Sequence, residues 1–409
     1  MYKHNLRQRY FTLALTLFLS SLLYSVASAD SGITIPTRQE AQRVNQNKVG
    51  VVFTHEELFH QLVHNMESEL EHDSGLRIVP IMGKNHVQSV YDLLYLKGID
   101  LALVRADAIE YVKRKGNYPT IGGLINSVVK VSDEKIVVIA RKDYETLEDL
   151  DGQVVGFGLP GSGEYVTSTI MFETLGIEPD YVEVNNTTAI EKMKSGELAA
   201  MVYLLRAPDA IQTGADLKAA EAIKNLDLGD DLHFVEIPET ASLSEIYTPV
   251  TLGSSDLPGV IDSGVSITSY SVDAILAVYR WTPPSFRFDQ TERFVNALVD
   301  GLDGLSSDVY QPAWKRVDLE YATPNITSTP LVAAALDARA AEKVRLIEAE
   351  RQIKEQAIAE AKAAKIAQLV KKRNELTARI GNELNEADAE ELELMLEELN
   401  TFLEDRQSQ

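Results

Sequence analysis

The sequence predicts an α/β fold built as two lobes, with a long helical extension after them. Three observations predict it. Short apolar runs alternate with amphipathic stretches from about Val49 to Leu302, the pattern of a layered, largely parallel sheet. A glycine-rich stretch, Gly156-Phe157-Gly158-Leu159-Pro160-Gly161-Ser162-Gly163, follows the short strand Val154-Val155. It precedes a run in which Val166, Ile170, Phe172 and Leu175 recur at roughly helical spacing. From about Pro330 the composition shifts to Ala, Glu, Lys, Arg and Leu, with no glycine until Gly381, which is the signature of a long helix or coiled coil.

The chain opens with Lys3, Arg7 and Arg9, an apolar run from Phe11 to Leu23, and Ala27-Ser28-Ala29. This is the order of a secretory signal peptide, so residues 1–29 are expected to be removed and Asp30 to begin the mature chain. An uncleaved anchor is the alternative, though Thr and Ser interrupt the run and it is short for a membrane span. There is no cysteine among the 409 residues, which excludes disulfides, thiolate metal sites, a cysteine nucleophile and a lipid anchor on cysteine. A hydrophobic content of 45% lets the chain bury a core without such staples. The formal charge of −23 becomes more negative when the three basic residues of the leader depart. Nucleic acid and anionic membrane surfaces are therefore poor partners.

Residues 30–47 are polar and read as a lead-in. Gly50-Val51-Val52-Phe53 is the first expected strand, with Thr54 as N-cap of a helix whose Leu58, Leu62, Met66 and Leu70 share a face. Arg77 to Ile81 is the second strand, Val87 to Leu96 the second helix, and Ile99 to Val104 a buried parallel strand. Ser127 to Val131 and Ile136 to Ala140 read as two strands, with a crossing between lobes near Arg141. The second lobe continues through Tyr181 to Val184, a helix over Thr188 to Lys194, and a strand over Ala199 to Leu205 that ends at Arg206. Near Gly264 the chain returns to the first lobe, with a core strand over Val272 to Val278 and a helix over Thr291 to Leu302. Lobe 1 is thus expected at 48–140 plus 250–325, lobe 2 at 141–249, and the tail at 331–409.

Three segments carry a resemblance: Thr146-Leu147-Glu148-Asp149-Leu150-Asp151-Gly152 with the glycine stretch, Asp100-Leu101-Ala102-Leu103-Val104-Arg105-Ala106-Asp107, and Ser195-Gly196-Glu197-Leu198-Ala199-Ala200-Met201-Val202. Together they resemble the TAXI family, the solute-binding subunits of tripartite TRAP-type transporters, over roughly residues 48 to 320. The resemblance implies a periplasmic type II binding-protein fold, with two lobes, a hinge and a small carboxylate ligand in the cleft. Two first-lobe loops depart from that family's pattern, Val52-Phe53-Thr54-His55-Glu56-Glu57 and Met82-Gly83-Lys84-Asn85-His86.

Ligand contacts are expected where strands end at the cleft. The candidates are Thr54, His55, Asn85, His86 and Arg105 from the first lobe, and Gly161, Ser162, Gly163, Tyr203 and Arg206 from the second. A helix start lined by glycine can take an anion through bare backbone N–H groups. Arg206 can add a bidentate guanidinium, its alternative being an ion pair with Asp209 or another acid. Gly156, Gly158 and Gly161 satisfy G-x-G-x-x-G, but Pro160 removes a donor that a dinucleotide loop needs, and no Lys-Ser or Lys-Thr follows for a P-loop. A plain packing turn is the other reading of the stretch. His55 and His86 with Glu56 raise a metal site as a possibility, against two loop histidines that set polarity. Ser162 lacks Gly at 160 and 164, so it is not a nucleophile elbow. A non-enzymatic binder without cofactor or resident metal is expected.

In the tail, Leu336, Ile347, Ile358, Leu369 and Ile380 recur every eleven residues, a nearly straight packing stripe. Gly381-Asn382 should end that helix, and Asn385 with Asp388 should begin an acidic one. A hairpin, or pairing with another copy or a partner protein, would bury both stripes.

Overall fold

The computed structural model describes residues 47–116, 118–206, 231–380 and, beyond them, 390–391, 393–394 and 396–397. The expected leader, the expected lead-in up to Gln46, and the expected helix end at Gly381-Asn382 and cap at Asn385 lie outside the described residues. The chain forms two compact units divided between Ser328 and Thr329.

In chain order the first unit contains β1 (Lys48–Phe53), α1 (Glu57–Ser74), β2 (Arg77–Met82), α2 (His86–Tyr95), β3 (Leu101–Arg105), α3 (Ala106–Lys115) and β4 (Ile125–Arg141). There follow β5 (Val154–Gly158), α4 (Gly163–Leu175), β6 (Asp180–Glu183), α5 (Asn186–Lys194), β7 (Ala200–Arg206), β8 (Leu232–Val235), α6 (Ala241–Ser244), β9 (Thr248–Leu252), β10 (Ile267–Tyr279) and α7 (Phe286–Leu305). The first lobe has the strand order β2-β1-β3-β10-β4, parallel except where β10 and β4 join antiparallel. In the second lobe β6, β5 and β7 run parallel, β4 lies antiparallel beside β7, and β8 closes the other side of β4. Both lobes therefore repeat one order, in which a strand shared between lobes inserts antiparallel beside the third. This is the two-lobed type II binding-protein arrangement.

Two strands cross between the lobes. β4 pairs with β10 from Ile125 to Lys135 and with β7 from Glu134 to Ala140. The sequence reads as two strands split by Ser132-Asp133-Glu134-Lys135, whereas the structure has one strand of 17 residues. Its polar middle is tolerated because the charges find partners: Lys130 Nζ lies 3.1 Å from Asp273 Oδ1, and Glu134 stands opposite Arg206 in the register. The change of partner falls at Glu134, before the expected crossing near Arg141.

Side chains alternate between the faces of the sheet, as strand geometry requires. Ile136, Val138, Ala200, Val202 and Leu204 enter one core of the second lobe, while Val137, Ile139, Met201, Tyr203 and Leu205 enter the core on the opposite face. Val52, Ala102, Val104, Ile275 and Ala277 build a core of the first lobe. Side chains cap the three helices that start after β2, β5 and β6. Asn85 accepts from the Gln88 N–H at 2.8 Å, Ser162 from Tyr165 at 3.2 Å and Asn185 from Thr188 at 2.9 Å, which caps α2, α4 and α5. At α1 the cap position belongs to Glu56, whose side chain makes no capping bond; the expected cap Thr54 lies two residues earlier.

The second unit contains α8 (Pro330–Ile380), a helix of 51 residues. Val344, Ile347, Ile353 and Ile358 are exposed on it, so the eleven-residue stripe is largely open along its middle. Lys372 Nζ lies 2.7 Å from Glu391 Oε1. Among the described residues no helix is long and apolar enough to cross a membrane.

One close approach positions the first lobe. Gly50 in β1 donates its N–H to Asp100 Oδ2 at 2.8 Å and accepts from the Asp100 N–H at 2.8 Å, and a Cβ built on it would collide with the backbone carbonyl of Gly98. Backbone cannot swing aside as a side chain does. Gly50→Ala is expected to destabilise the protein by about 3 kcal/mol in urea unfolding, while Gly122→Ala, where added carbon meets nothing within 4 Å, changes stability by under about 0.5 kcal/mol. Equal effects of the two substitutions would refute this account of Gly50.

Candidate functional site

Between the lobes lies a cleft of about 430 Å³. Its walls are the loops at the C-terminal ends of parallel strands, where ligands of open α/β sheets bind. From the first lobe come Thr54, His55 and Glu56 after β1, and Lys84, Asn85 and His86 after β2. From the second come Gly158 to Glu164 after β5, Asn185 to Thr187 after β6, and Arg206 at the end of β7. Four helices, α1, α2, α4 and α5, start at this cleft, so their N–H ends make it electropositive before any side chain is counted.

Behind the cleft floor is a buried network of charges. Glu134 is the centre of it: Oε2 accepts from Arg105 Nε at 2.6 Å and lies 2.6 Å from Nη2, while Oε1 accepts from Arg206 Nε at 2.9 Å. Glu56 faces the same two guanidinium groups from the cleft side. Its Oε1 lies 3.3 Å from Arg105 Nη1, 3.8 Å from Arg206 Nη2 and 3.0 Å from His86 Nε2. The His86 tautomer follows from its neighbours. The Arg105 backbone N–H lies 3.4 Å from Nδ1 and can only donate, so Nδ1 accepts and the ring proton sits on Nε2, pointing at Glu56. Burial and the adjacent Arg105 push the His86 pKa down, outweighing Glu56 and Glu134, so the ring is neutral. Burial by itself raises the Glu56 carboxyl, but Arg105, His86 and Arg206 together hold it well below the usual range. Arg105 remains charged: burial acts against its charge, and Glu134 and Glu56 more than offset it.

These positions revise the expected roles of several residues. Arg105 is buried behind the floor and forms no part of the cleft wall, and Gly163 of α4 packs directly on its guanidinium. Arg206 lines the cleft, but its carboxylate partner is the buried Glu134. Ser162 spends its hydroxyl oxygen on capping α4, and Gly161 comes against the Asn85 side chain across the cleft. Thr54, His55, Asn85, His86, Gly161, Ser162 and Gly163 come together at the cleft wall. Tyr203 does not join them; it packs in the core on the far face of the sheet, because strand alternation gives it the parity opposite to Arg206. His86 is buried against Glu56 while His55 is exposed, and among the described residues no group of three His, Cys, Asp or Glu side chains is placed to hold a metal ion. Glu134 and Glu164 were absent from the candidates: the first sits in what reads as a break between strands, the second just past the glycines.

No protein-family model matches the chain. A search of curated proteins likewise returns no match. Among solved structures, the chain is similar to XAC2383 from Xanthomonas citri bound to ATP, at 13% identity over 73% of this chain and 98% of that one, with a TM-score of 0.42. The periplasmic VFT2 domain of BvgS from Bordetella pertussis is 12% identical over 69% of this chain and 98% of that one, with a TM-score of 0.35. The GluR0 ligand-binding core from Nostoc punctiforme in complex with L-glutamate is 13% identical over 65% and 97%, with a TM-score of 0.34. Likeness at this level says nothing about ligand, and the fold rests on the strand order itself.

Beside the cleft the lobes are held along a second line, where α3 of the first lobe meets α4 of the second. Thr167 Oγ1 donates to Asp107 Oδ2 at 2.6 Å, the rings of Tyr111 and Tyr165 lie 6.5 Å apart, Arg114 Nη1 donates to Thr174 at 3.0 Å, and Lys115 pairs with Glu173. Tyr247 adds a second hydroxyl to Asp107 Oδ2 at 3.3 Å. Burial pushes the Asp107 carboxyl up to about 6, against the lowering effect of the Thr167 bond and Arg105. The unfolded chain releases this proton near about 3.9. Between those values the fold therefore holds more protons than the unfolded chain, and this group's contribution to stability falls as pH rises through the window. Glu56 acts with the opposite sign at lower pH, since a depressed carboxyl loses its stabilisation as pH falls through its folded value. Asp107→Asn keeps an acceptor for both hydroxyls and removes the buried charge. It is expected to raise Tm relative to wild type at about pH 7.5 and to lose that advantage by about pH 4; parallel curves of Tm against pH would show that Asp107 does not titrate in this window.

Proposed function

We propose that the protein is a periplasmic receptor that captures a small zwitterionic or anionic solute, of amino-acid or carboxylate type, by closing its lobes. The observation that carries this reading is a cleft walled by both lobes with charge of both signs on its surface: Lys84 and Arg206 against Glu56 and Glu164, with Asn185, Asn186 and Thr187 between. With Arg206 already held by Glu134, Lys84 and the start of α4 are the groups left to take a solute carboxylate. Glu164 and the neighbouring amides suit its ammonium group. The receptor would present its solute to a permease of TRAP type, as the resemblance to the TAXI family suggests, and it is a binder rather than an enzyme.

The test is native mass spectrometry of mature protein purified gently from the periplasm, followed by thermal unfolding against amino acids and small carboxylates. A small acid at one per chain, lost on denaturation, is expected, and the same compound should raise Tm. Lys84→Ala should weaken its affinity about tenfold, in line with loss of one charge-assisted hydrogen bond. Protein that carries no solute and responds to none of the panel would count against the receptor.

A second reading, that the protein is a scaffold or sensor acting through its tail, is favoured by one observation: the exposed aliphatic side chains of α8 at Val344, Ile347 and Ile358. Such a stripe is a surface for a second copy or a partner protein. Light scattering on a mature chain ending at Asp337, beside the full chain, decides it. Loss of subunit association is expected on this reading, and an unchanged oligomeric state together with unchanged partner binding would end it.

A further inference from the structure

Asn85, Ser162 and Asn185 turn their side chains back to cap α2, α4 and α5 at the cleft. The 18-residue α1 starts at the same cleft without such a cap: Glu56 holds the position, and its side chain makes no capping bond. The first N–H groups of a helix have no acceptor within the helix, so the start of α1 presents donors that no capping side chain takes up. Just before it stands Thr54. This residue belongs to the cleft wall and is only 1% exposed, yet its Oγ1 has no hydrogen-bond partner among the described residues. A buried hydroxyl left unpaired costs free energy, and native structures hold few of them. Ser89 and Ser168 also bury an unpaired hydroxyl, but neither lines the cleft. Thr54 thus joins an unspent hydroxyl to an uncapped helix start on the wall of the cleft. The acids beside it decide what it can take. Glu56 at the cap and Glu57 in the first turn put two carboxylates on this helix end, so its positive potential is already met by the chain itself. Glu56 is in turn committed to His86 Nε2 at 3.0 Å and Arg105 Nη1 at 3.3 Å. The donors that remain, a hydroxyl and backbone N–H groups, are uncharged, and an uncharged oxygen suits them.

We propose that Thr54 and the start of α1 form a subsite of the cleft for an uncharged oxygen of the solute, in a carboxamide, carbonyl or hydroxyl group. The proposal deepens the receptor reading and rests on it. The solute carboxylate stays with Lys84 and the start of α4, and the ammonium group with Glu164, so the oxygen that Thr54 meets belongs to the solute's side chain. The solute is therefore a zwitterion whose side chain is polar and neutral. An apolar isostere fits the same space but leaves the Thr54 hydroxyl unpaired, and a site built to hydrogen-bond a group rejects the analogue that lacks it. A side-chain carboxylate would stand against Glu56 and Glu57 at the helix start. Thr54 accordingly sets side-chain specificity, while Lys84, α4 and Glu164 hold the charged groups common to all amino acids.

Amino acids of matched shape test it. L-asparagine, L-leucine and L-aspartate share nearly one shape, L-glutamine, L-methionine and L-glutamate another, and L-threonine and L-valine a third. Affinities by titration calorimetry, and Tm without ligand, are measured for wild type, Thr54→Val, Thr54→Ser and Ser168→Ala. In at least one set, wild type should bind the member with an uncharged side-chain oxygen at least about tenfold more tightly than its counterparts. Thr54→Val keeps the branched shape and removes the hydroxyl. It should cut that preference about tenfold, through weaker binding of the oxygen-bearing member, while its Tm without ligand stays level or rises by about 2 °C. Thr54→Ser should keep the preference, and Ser168→Ala, which removes a buried hydroxyl away from the cleft, should leave every affinity unchanged. A Thr54→Val that keeps the wild-type preference overturns the proposal. So does one that loses Tm and weakens on polar and apolar members alike, the mark of a structural role. Should Thr54→Val fail to fold, the wild type decides: a preference for the oxygen-bearing members supports the subsite, and its absence overturns it. The two readings fail separately. A wild type that binds some member of the wider panel of amino acids and carboxylates without that preference removes the subsite and keeps the receptor, whereas one that binds none of the panel removes both.

Discussion

A single buried carboxylate, Glu134, is what the centre of this molecule depends on. It lies on β4 where that strand leaves β10 for β7, and it holds Arg105 of the first lobe and Arg206 of the second at hydrogen-bonding distance. Two guanidinium groups taken out of water carry a large desolvation penalty, and only paired, hydrogen-bonded acids offset it. Removing one member of such a buried set typically costs about 3–5 kcal/mol because the others are left uncompensated. The charges at the centre are thus interdependent, and a change in any one is felt in both lobes.

This constraint reaches outward to the cleft. Because Glu134 takes the arginines from behind, what the cleft offers in front is close to neutral. Glu56 and Glu164 balance Lys84 and Arg206 there. Four helix N-termini add positive potential at the same place, and three residues of the cleft wall, Asn85, Ser162 and Asn185, cap helices that start there. The same side chains shape the cleft and hold its helices, which ties the shape of the cleft to the stability of its walls. Along the seam between α3 and α4, Asp107 adds a carboxyl whose proton is released in the fold only near pH 6, so lobe contact and acidity are linked at a point outside the cleft.

Much of the fold was legible in the sequence because period and punctuation are local. The run Ile99 to Val104, the helix after the glycines and the strand ending at Arg206 appear where their patterns put them. The site was legible by loop and less so by side chain. His55, Asn85, His86, Ser162 and Arg206 reach the cleft, since they stand at strand ends. Tyr203 shares that strand with Arg206 yet faces the other core, and only the register with β4 says which parity points where. Glu134 was concealed by its neighbours. Ser-Asp-Glu-Lys reads as a turn, and nothing local reveals that Asp273 will meet Lys130, or Arg206 meet Glu134, and so keep the strand unbroken.

The sequence by itself determined the alternation of strands and helices, the glycine-lined start of α4 and the long helix after Pro330. Each of these is decided within a few residues by backbone freedom or apolar period. Tertiary structure alone decided which charges are shared. Arg105 and Arg206 stand a hundred residues apart in the chain, and so do the roles expected of them, a wall residue and a ligand clamp. The fold gives both to one carboxylate on a crossing strand, because charges buried together must be matched by whatever acids the topology brings within reach.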